Sequence, residues 1–164
     1  MTSPVAKAQM LIRKPIGSVF EAFVNPGVTS HFWFSNSTGT LEPGGLVRWS
    51  WEMYGLTTDV EVKALEQNKR ILVEWNRPSN PSLVEWTFEP KAADRTFVVV
   101  KNWGFHGDTE QIVSAALDSA SGFAFVLAAA KAYLEYGVEL RVVEDHAPDA
   151  LAENWKTRLT PTVG

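Results

Sequence analysis

Cysteine is absent from this sequence, and its absence excludes disulfides, thiolate metal sites and cysteine nucleophiles. A cytoplasmic protein is the simplest interpretation of such a chain. The N-terminal stretch MTSPVAKAQMLIRKP lacks a charged leader followed by a continuous apolar run, so an export signal is not expected. The longest apolar run, residues 123–130, ends at Lys131. Because this run is much too short to cross a bilayer, no membrane span is predicted.

Positive charge and metal-binding patterns are also scarce. Lys and Arg total 15 against 19 Asp and Glu, with no basic cluster, so nucleic acid is not expected as a partner. The histidines, His31, His106 and His146, have no metal-ligand spacing to one another or to a Glu or Asp motif. No Gly-x-Ser-x-Gly motif is present, and Gly44-Gly45 opens a strand after a proline turn. We therefore predict no metal and no cofactor, and the sequence identifies no catalytic group.

What the sequence does contain is typical of one globular domain. It has 164 residues, of which 45% are apolar and 21% charged, and no repeat or linker interrupts it. We predict a single domain over residues 1–164, with a core at about 5–137 and a C-terminal extension at 138–164. The unusual feature is the presence of seven tryptophans. Such rings can fill a core or line a cavity.

A long helix is predicted at Asp108–Tyr136, the only long segment with helical composition and spacing. Asp108 or Thr109 can cap its start, and Gly137 suits its C-terminal end. Its apolar residues recur at three- and four-residue steps. The side chains between Ala115 and Ala120 are unusually small. They either let the helix pack closely on a sheet or leave room for a ligand.

The region before this helix alternates as β-strands do. After a first strand at residues 5–14, alternating apolar residues and turn signals predict five more strands, at 46–54, 57–66, 70–76, 82–90 and 95–103. In the first of these five, Trp49 and Trp51 share one face, and Arg48 and Glu52 share the other. The prediction is a single antiparallel sheet with one long helix to cover it.

Shorter elements are predicted on both sides of this framework. Pro15 suits the first turn of a short helix that ends before Asn25, and a second helical stretch runs from Gly27 to Phe34. After the long helix, residues 138–144 alternate and predict a short edge strand or an extended arm. Further on, apolar residues recur four apart and predict a final helix that docks on the body or on a second subunit; they are Leu151, Trp155 and Leu159. A homodimer through this extension is therefore a hypothesis.

Several segments match a known pattern in order and spacing. They are IRKPIGSVFEAFVNPGVTSHFWF, LEPGGLVRWSWEM, KRILVEW, SLVEWTFEP, RTFVVVKNWGF and SGFAFVLAAAKAYLE. Together they resemble the activator of Hsp90 ATPase homologue 1-like proteins of the START-like, or polyketide cyclase, superfamily. The resemblance covers roughly residues 8–137. Phe123 stands where that family's closing helix usually has tryptophan.

The resemblance implies an α+β helix-grip fold, also called START-like or Bet v 1-like. In this fold a curved antiparallel sheet wraps around a long C-terminal helix, two short helices follow the first strand, and an apolar cavity lies between sheet and helix. Relatives bind lipids or other apolar molecules, a few catalyse polyketide cyclisation or dehydration, and the eukaryotic namesakes stimulate a chaperone. The fold alone does not choose among these functions.

The main hypothesis is that a small hydrophobic ligand, a lipid, polyketide or aromatic metabolite, binds between sheet and helix. A cyclase or dehydratase-like enzyme and a chaperone-interacting protein are the alternatives. The candidate cavity residues are Trp33, Trp49, Trp51, Trp75, Trp86, Phe123, Leu127, His31 and Arg48. The tryptophans can also be core residues, and His31 either has a structural hydrogen bond or acts as a ligand donor or general base. Arg48, with Glu52, is either solvated or turned inward as a polar anchor for a carboxyl or keto group.

Overall fold

The structure is a computed structural model that describes residues 3–150. Its strands are β1 (Ala6–Ile12), β2 (Asn36–Ser37), β3 (Leu46–Trp51), β4 (Leu56–Glu66), β5 (Arg70–Arg77), β6 (Ser82–Ala92) and β7 (Arg95–Trp103). Its α-helices are α1 (Ile16–Val24), α2 (Pro26–Thr29), α3 (Thr109–Tyr136) and α4 (Val142–Asp145), and a 3-10 turn covers Glu52–Tyr54. The predicted helix around Trp155 lies outside the described residues.

The strands form one antiparallel sheet in the order β1-β7-β6-β5-β4-β3-β2. Short turns connect β4 through β7 in sequence, and β1 closes the sheet beside β7, where Ala8 pairs with Val100. The pairing of β4 with β5 is interrupted on both sides of Glu61–Val62, and that of β6 with β7 after Pro90. Irregularities of this kind bend a strand and increase its twist, which lets the sheet curve. The curved sheet and long helix confirm the predicted helix-grip fold.

Helix α3 begins and ends as the sequence predicts. The Asp108 side chain accepts a hydrogen bond from the Gln111 backbone at 2.8 Å, and the Gln111 side chain accepts one from the Asp108 backbone at 2.9 Å. This reciprocal capping box satisfies two N–H groups at the start of the helix. At the other end, Gly137 adopts the left-handed conformation with φ of 68°. The helix packs against β1 and β7.

By length and composition α3 could also cross a membrane, and 28% of its most apolar window is buried within the protein. One such helix is weak grounds for a membrane span, since the core helix of a soluble protein has the same properties. Here α3 supplies the core with buried side chains that face the sheet; they are Ala116, Phe123, Val126, Leu127, Ala129 and Ala130. A soluble protein agrees with this packing. The absence of a membrane span stays a prediction.

Several short elements differ from the predictions: β2 was not predicted, and the strand predicted at 46–54 ends at Trp51, before the 3-10 turn. Helix α2 ends at Thr29, because the amides of His31 and Phe32 bond carbonyl oxygens three residues back and tighten the chain into turns. The segment after α3 is not a strand. Arg141 has a φ of 58°, which breaks the extended backbone, and α4 follows as a single helical turn. The hydroxyl of Tyr54 donates to the carbonyl oxygen of Val143 and holds this turn against the body.

Candidate functional site

An aromatic cluster occupies much of the space that the curved sheet encloses against α3. Trp33, which follows α2, lies near its centre. The Trp33 ring centroid is 4.9 Å from that of Trp49, 5.7 Å from that of Phe123 and 5.8 Å from that of Trp86. Trp75 stacks on Phe123 with centroids 5.7 Å apart. These rings pack mostly edge to face, an arrangement that stabilises aromatic clusters beyond the burial of their surface.

A pocket of about 280 Å³ opens at one side of this cluster, between α3 and the α4 segment. The rings of Trp33, Trp75 and Phe123 form its inner wall. The remaining wall comes from α3 and from the α4 segment: Asp118, Ser119, Gly122, Phe125, Val126, Val143 and His146. Gly122 leaves part of this space open, since no atom lies within 4 Å of the position a Cβ would take there. The pocket is therefore a mainly apolar site lined by aromatic rings and a few polar groups.

Buried hydrogen bonds fix the inner wall. The indole N–H of Trp75 donates to Ser82 Oγ at 2.9 Å, and Asn102 Nδ2 donates to the same oxygen at 3.0 Å. Ser119 Oγ in turn donates to Asn102 Oδ1 at 2.7 Å, which ties α3 to the sheet. Asn102 is only 1% exposed. Satisfied buried networks of this kind hold their members in one arrangement.

The indole N–H of Trp86 differs from that of Trp75. It is buried and has no hydrogen-bond partner among the described residues. Its ring meets that of Phe123 edge to face, with centroids 6.0 Å apart and an interplanar angle of 89°. Unpaired buried donors are rare in proteins because each one forgoes its hydrogen bond to water. Because its ring is buried and packs against Phe123, Trp86 serves first as a packing residue behind the pocket.

The sequence candidates divide into three groups. Trp33, Trp75 and Phe123 line the pocket. Trp49 and Trp86 are almost fully buried behind them, Trp51 packs partly buried beside Trp75, and Leu127 is a core residue with no exposed surface. The other two, His31 and Arg48, lie outside this pocket.

His31 is held at the surface of the body. Its Nδ1 lies 2.6 Å from Glu139 Oε1, and its ring stacks on Tyr133 with centroids 4.5 Å apart. It contributes to a separate, more polar hollow of about 200 Å³, which shares Trp33 and Val143 with the aromatic pocket. The contacts of His31 therefore tie the segment after α3 to the end of α2.

Arg48 lies on the outer face of the sheet, and Trp49, the next residue of β3, lies on the inner face. Its Nε donates to Asp59 Oδ1 at 2.8 Å, and the Arg48 side chain is 59% exposed. This hydrogen bond raises the pKa of Arg48 and lowers the pKa of Asp59. The strand alternation keeps Arg48 solvated, so the twist of the sheet does not turn it toward the aromatic pocket.

Several pocket residues carry signals that the sequence predictions did not use. Ser82 and Asn102 occupy inward positions of β6 and β7, next to apolar inward residues. A polar residue in an apolar alternation indicates a buried hydrogen bond, and both make one. Asp118, Ser119 and His146 offered no comparable signal, because their meeting depends on the path of the chain after α3. Within residues 3–150, no group of three or more His, Asp or Glu side chains could hold a metal ion.

The fold and pocket define the class: a helix-grip protein with an aromatic-lined pocket beside its long helix. The family model of the activator of Hsp90 ATPase homolog 1-like protein matches residues 13–135, most of the chain. The chain belongs to this family. Its fold is that of hydrophobic-ligand-binding and polyketide cyclase-like proteins. A comparison with curated proteins finds no match.

Solved structures agree with the family. The protein SSP2350 from Staphylococcus saprophyticus is 30% identical, with a TM-score of 0.70 and a match covering 84% of this chain and 96% of that one. The Aha1 dimer from Colwellia psychrerythraea is 17% identical, with a TM-score of 0.70, and the match covers 82% and 98%. DynU16, a protein from the dynemicin biosynthetic locus, is 20% identical with a TM-score of 0.72, covering 82% of this chain but 48% of that one. The latter two likenesses support the fold alone.

Proposed function

We propose that this protein binds a small apolar molecule with a flat ring system in the pocket between α3 and α4. The observation that carries the proposal is the meeting of Trp33, Trp75 and Phe123 along one wall of a space of about 280 Å³. Aromatic walls favour flat ligands, because stacked and edge-to-face contacts add to the gain from burying apolar surface. Gly122 on α3 adds no side chain to this space.

The buried network behind the wall supports a binding role. A ligand gains affinity from a site that needs no rearrangement, since ordering side chains on binding costs free energy. Trp75 is fixed by Ser82, and α3 is fixed by the bond from Ser119 to Asn102. These bonds hold Trp75 and α3 in place, so this part of the wall needs no ordering when a ligand enters.

Native mass spectrometry of the purified protein tests this proposal. We expect an adduct that survives native conditions and is released on denaturation, and binding of naphthalene measured by equilibrium dialysis. The Gly122→Leu variant, which fills the pocket, should lose both, while Ala124→Leu on the exposed face of α3 should keep both. A protein that shows no adduct and binds no flat apolar probe would contradict the proposal.

The positions of the aromatic residues favour ligand binding over chaperone interaction. Within the described chain, five of the tryptophans are buried in the core or packed against it, Trp103 is half-buried, and Tyr136 is the exposed aromatic residue among the large apolar side chains. Docking surfaces usually present their aromatic residues to the partner. For the cyclase-like alternative, the predicted base His31 contacts Glu139 and Tyr133 and lies outside the aromatic pocket.

We also propose that two copies associate through the C-terminal extension of a cytoplasmic protein. Support comes from the exposed apolar side chains of Tyr136, Val138 and Leu140, which follow one another at the end of α3, and from the similar Aha1 dimer. Light scattering should give a dimer mass for the full chain and a monomer mass for the double variant Val138→Ser with Leu140→Ser. An equal mass for both proteins would refute this interface.

A further inference from the structure

The polar groups of the pocket are mostly hydrogen-bond acceptors. Asp118 offers a carboxylate that forms no ion pair or side-chain hydrogen bond with another described residue. Ser119 has already donated its hydroxyl hydrogen to Asn102 Oδ1, at 2.7 Å, so its oxygen can only accept a further bond. No lysine or arginine lines this pocket. The site therefore has negative charge and no cation to balance it.

The hydrogen bonds of His146 make it an acceptor as well. Its Nδ1 lies 3.1 Å from the carbonyl oxygen of Val142, which can only accept, so Nδ1 carries the ring hydrogen. The hydroxyl of Tyr54, 3.3 Å from the same nitrogen, has its own hydrogen directed at the Val143 carbonyl oxygen. The other ring nitrogen, Nε2, has no hydrogen-bond partner among residues 3–150, and whenever the ring is neutral with its hydrogen on Nδ1, Nε2 holds a lone pair.

The lining of the pocket also includes one hydrogen-bond donor. Trp33 lines the pocket, and its indole N–H has no hydrogen-bond partner in the described part of the chain. A ligand hydroxyl can satisfy both kinds of group, because it donates one hydrogen and accepts at its oxygen. A ligand carboxylate meets the charge of Asp118 without a compensating cation.

We propose that the pocket selects flat apolar ligands that carry a hydrogen-bond donor, such as phenols and aromatic amines, and rejects carboxylates. Asp118 and His146 are the specificity-determining residues. The inference rests on the proposed ligand binding and goes further by naming the ligand class. It also assigns a ligand contact to His146, which lies beyond the residues 13–135 matched by the family model.

Three probes of one ring system test the selection: naphthalene, 2-naphthol and 2-naphthoate, measured by equilibrium dialysis at neutral pH. We expect 2-naphthol to bind about tenfold more tightly than naphthalene, the gain of one hydrogen bond to a polar or charged acceptor. The anion 2-naphthoate should bind more weakly than naphthalene. Equal binding of naphthalene and 2-naphthol, or tightest binding of 2-naphthoate, would overturn the selection while leaving ligand binding itself intact. Failure of all three to bind would instead contradict the proposed function.

Variants then assign the selection to residues. His146→Phe keeps an aromatic ring but removes the acceptor, so the preference for 2-naphthol should fall severalfold while naphthalene affinity stays. Asp118→Asn, a change at an exposed position, should bring 2-naphthoate closer to naphthalene. His106→Phe is the matched control, since His106 is exposed and does not line the pocket. An unchanged ranking of the three probes in both pocket variants would refute the roles of Asp118 and His146.

Discussion

Gly122 allows the pocket to be filled without disturbing the core. A Cβ built at this position meets no atom within 4 Å, and the residue lies well inside α3. The Gly122→Leu variant therefore places an isobutyl group in the open space beside Phe123. Because this space is vacant of protein atoms, we expect the overpacking cost that follows most insertions into a core to be absent.

The size of the stability effect follows from helix propensity. Glycine is about 0.8 to 1.0 kcal/mol less favourable than alanine inside a helix, and leucine is close to alanine. Gly122→Leu should thus raise the free energy of unfolding by about 0.8 kcal/mol. For a chain of this size that corresponds to an increase in Tm of about 2 to 3 °C. Burial of the new side chain against the aromatic wall adds to the gain.

Binding should change in the opposite direction. A leucine at position 122 takes the place of a flat ligand against Phe123, so the Kd for naphthalene should rise at least tenfold, or about 1.4 kcal/mol. Thermal unfolding by circular dichroism and equilibrium dialysis measure the two effects on the same samples. Gly122→Ala should have nearly the same gain in stability with a smaller loss of affinity. A Gly122→Leu protein that binds as tightly as the natural sequence, or that is less stable, would refute this description of the pocket.

Four further predictions concern residues around the pocket and on the outer face of the sheet. Asn102→Ala leaves buried partners of Asn102 unsatisfied, so we expect a loss of about 1 to 3 kcal/mol in the free energy of unfolding, measured by urea denaturation; an unchanged midpoint would contradict the network. Tyr54→Phe removes the bond to Val143, so amides in residues 142–146 should exchange faster with deuterium. Burial raises the pKa of Tyr54, with Glu144 and Asp145 adding to the effect, so the natural protein should lose this bond only above about pH 10, where the ionised hydroxyl no longer donates. Arg48→Ala should leave ligand affinity unchanged, because Arg48 bonds Asp59 on the outer face; a weaker naphthalene affinity would restore it as an anchor.

The sequence predicts the framework well because local chemistry determines it. Alternation over β3 to β7 identifies the faces of the sheet, and Asp108 with Gln111 sets the start of α3 through a local capping box. Contacts between distant segments are not encoded in this way. His146 approaches Phe125 to within 5.1 Å between ring centroids only because the chain turns at Arg141 after leaving α3. The alternation of residues 138–144 indicated a strand or arm, and no periodicity shows that a left-handed residue will interrupt it.

The small side chains of α3 illustrate the same limit. Spacing alone allows either close packing or room for a ligand between Ala115 and Ala120, and one of these residues, Ser119, lines the pocket. Ala116 is buried, and Ala129 and Ala130 bring the C-terminal half close to the sheet, where Lys131 Nζ donates to the Leu11 carbonyl oxygen at 2.8 Å. Gly122 instead faces the open pocket. A helix that crosses a curved sheet diverges from it along its length, so small residues fill a contact at one turn and border a cavity at another.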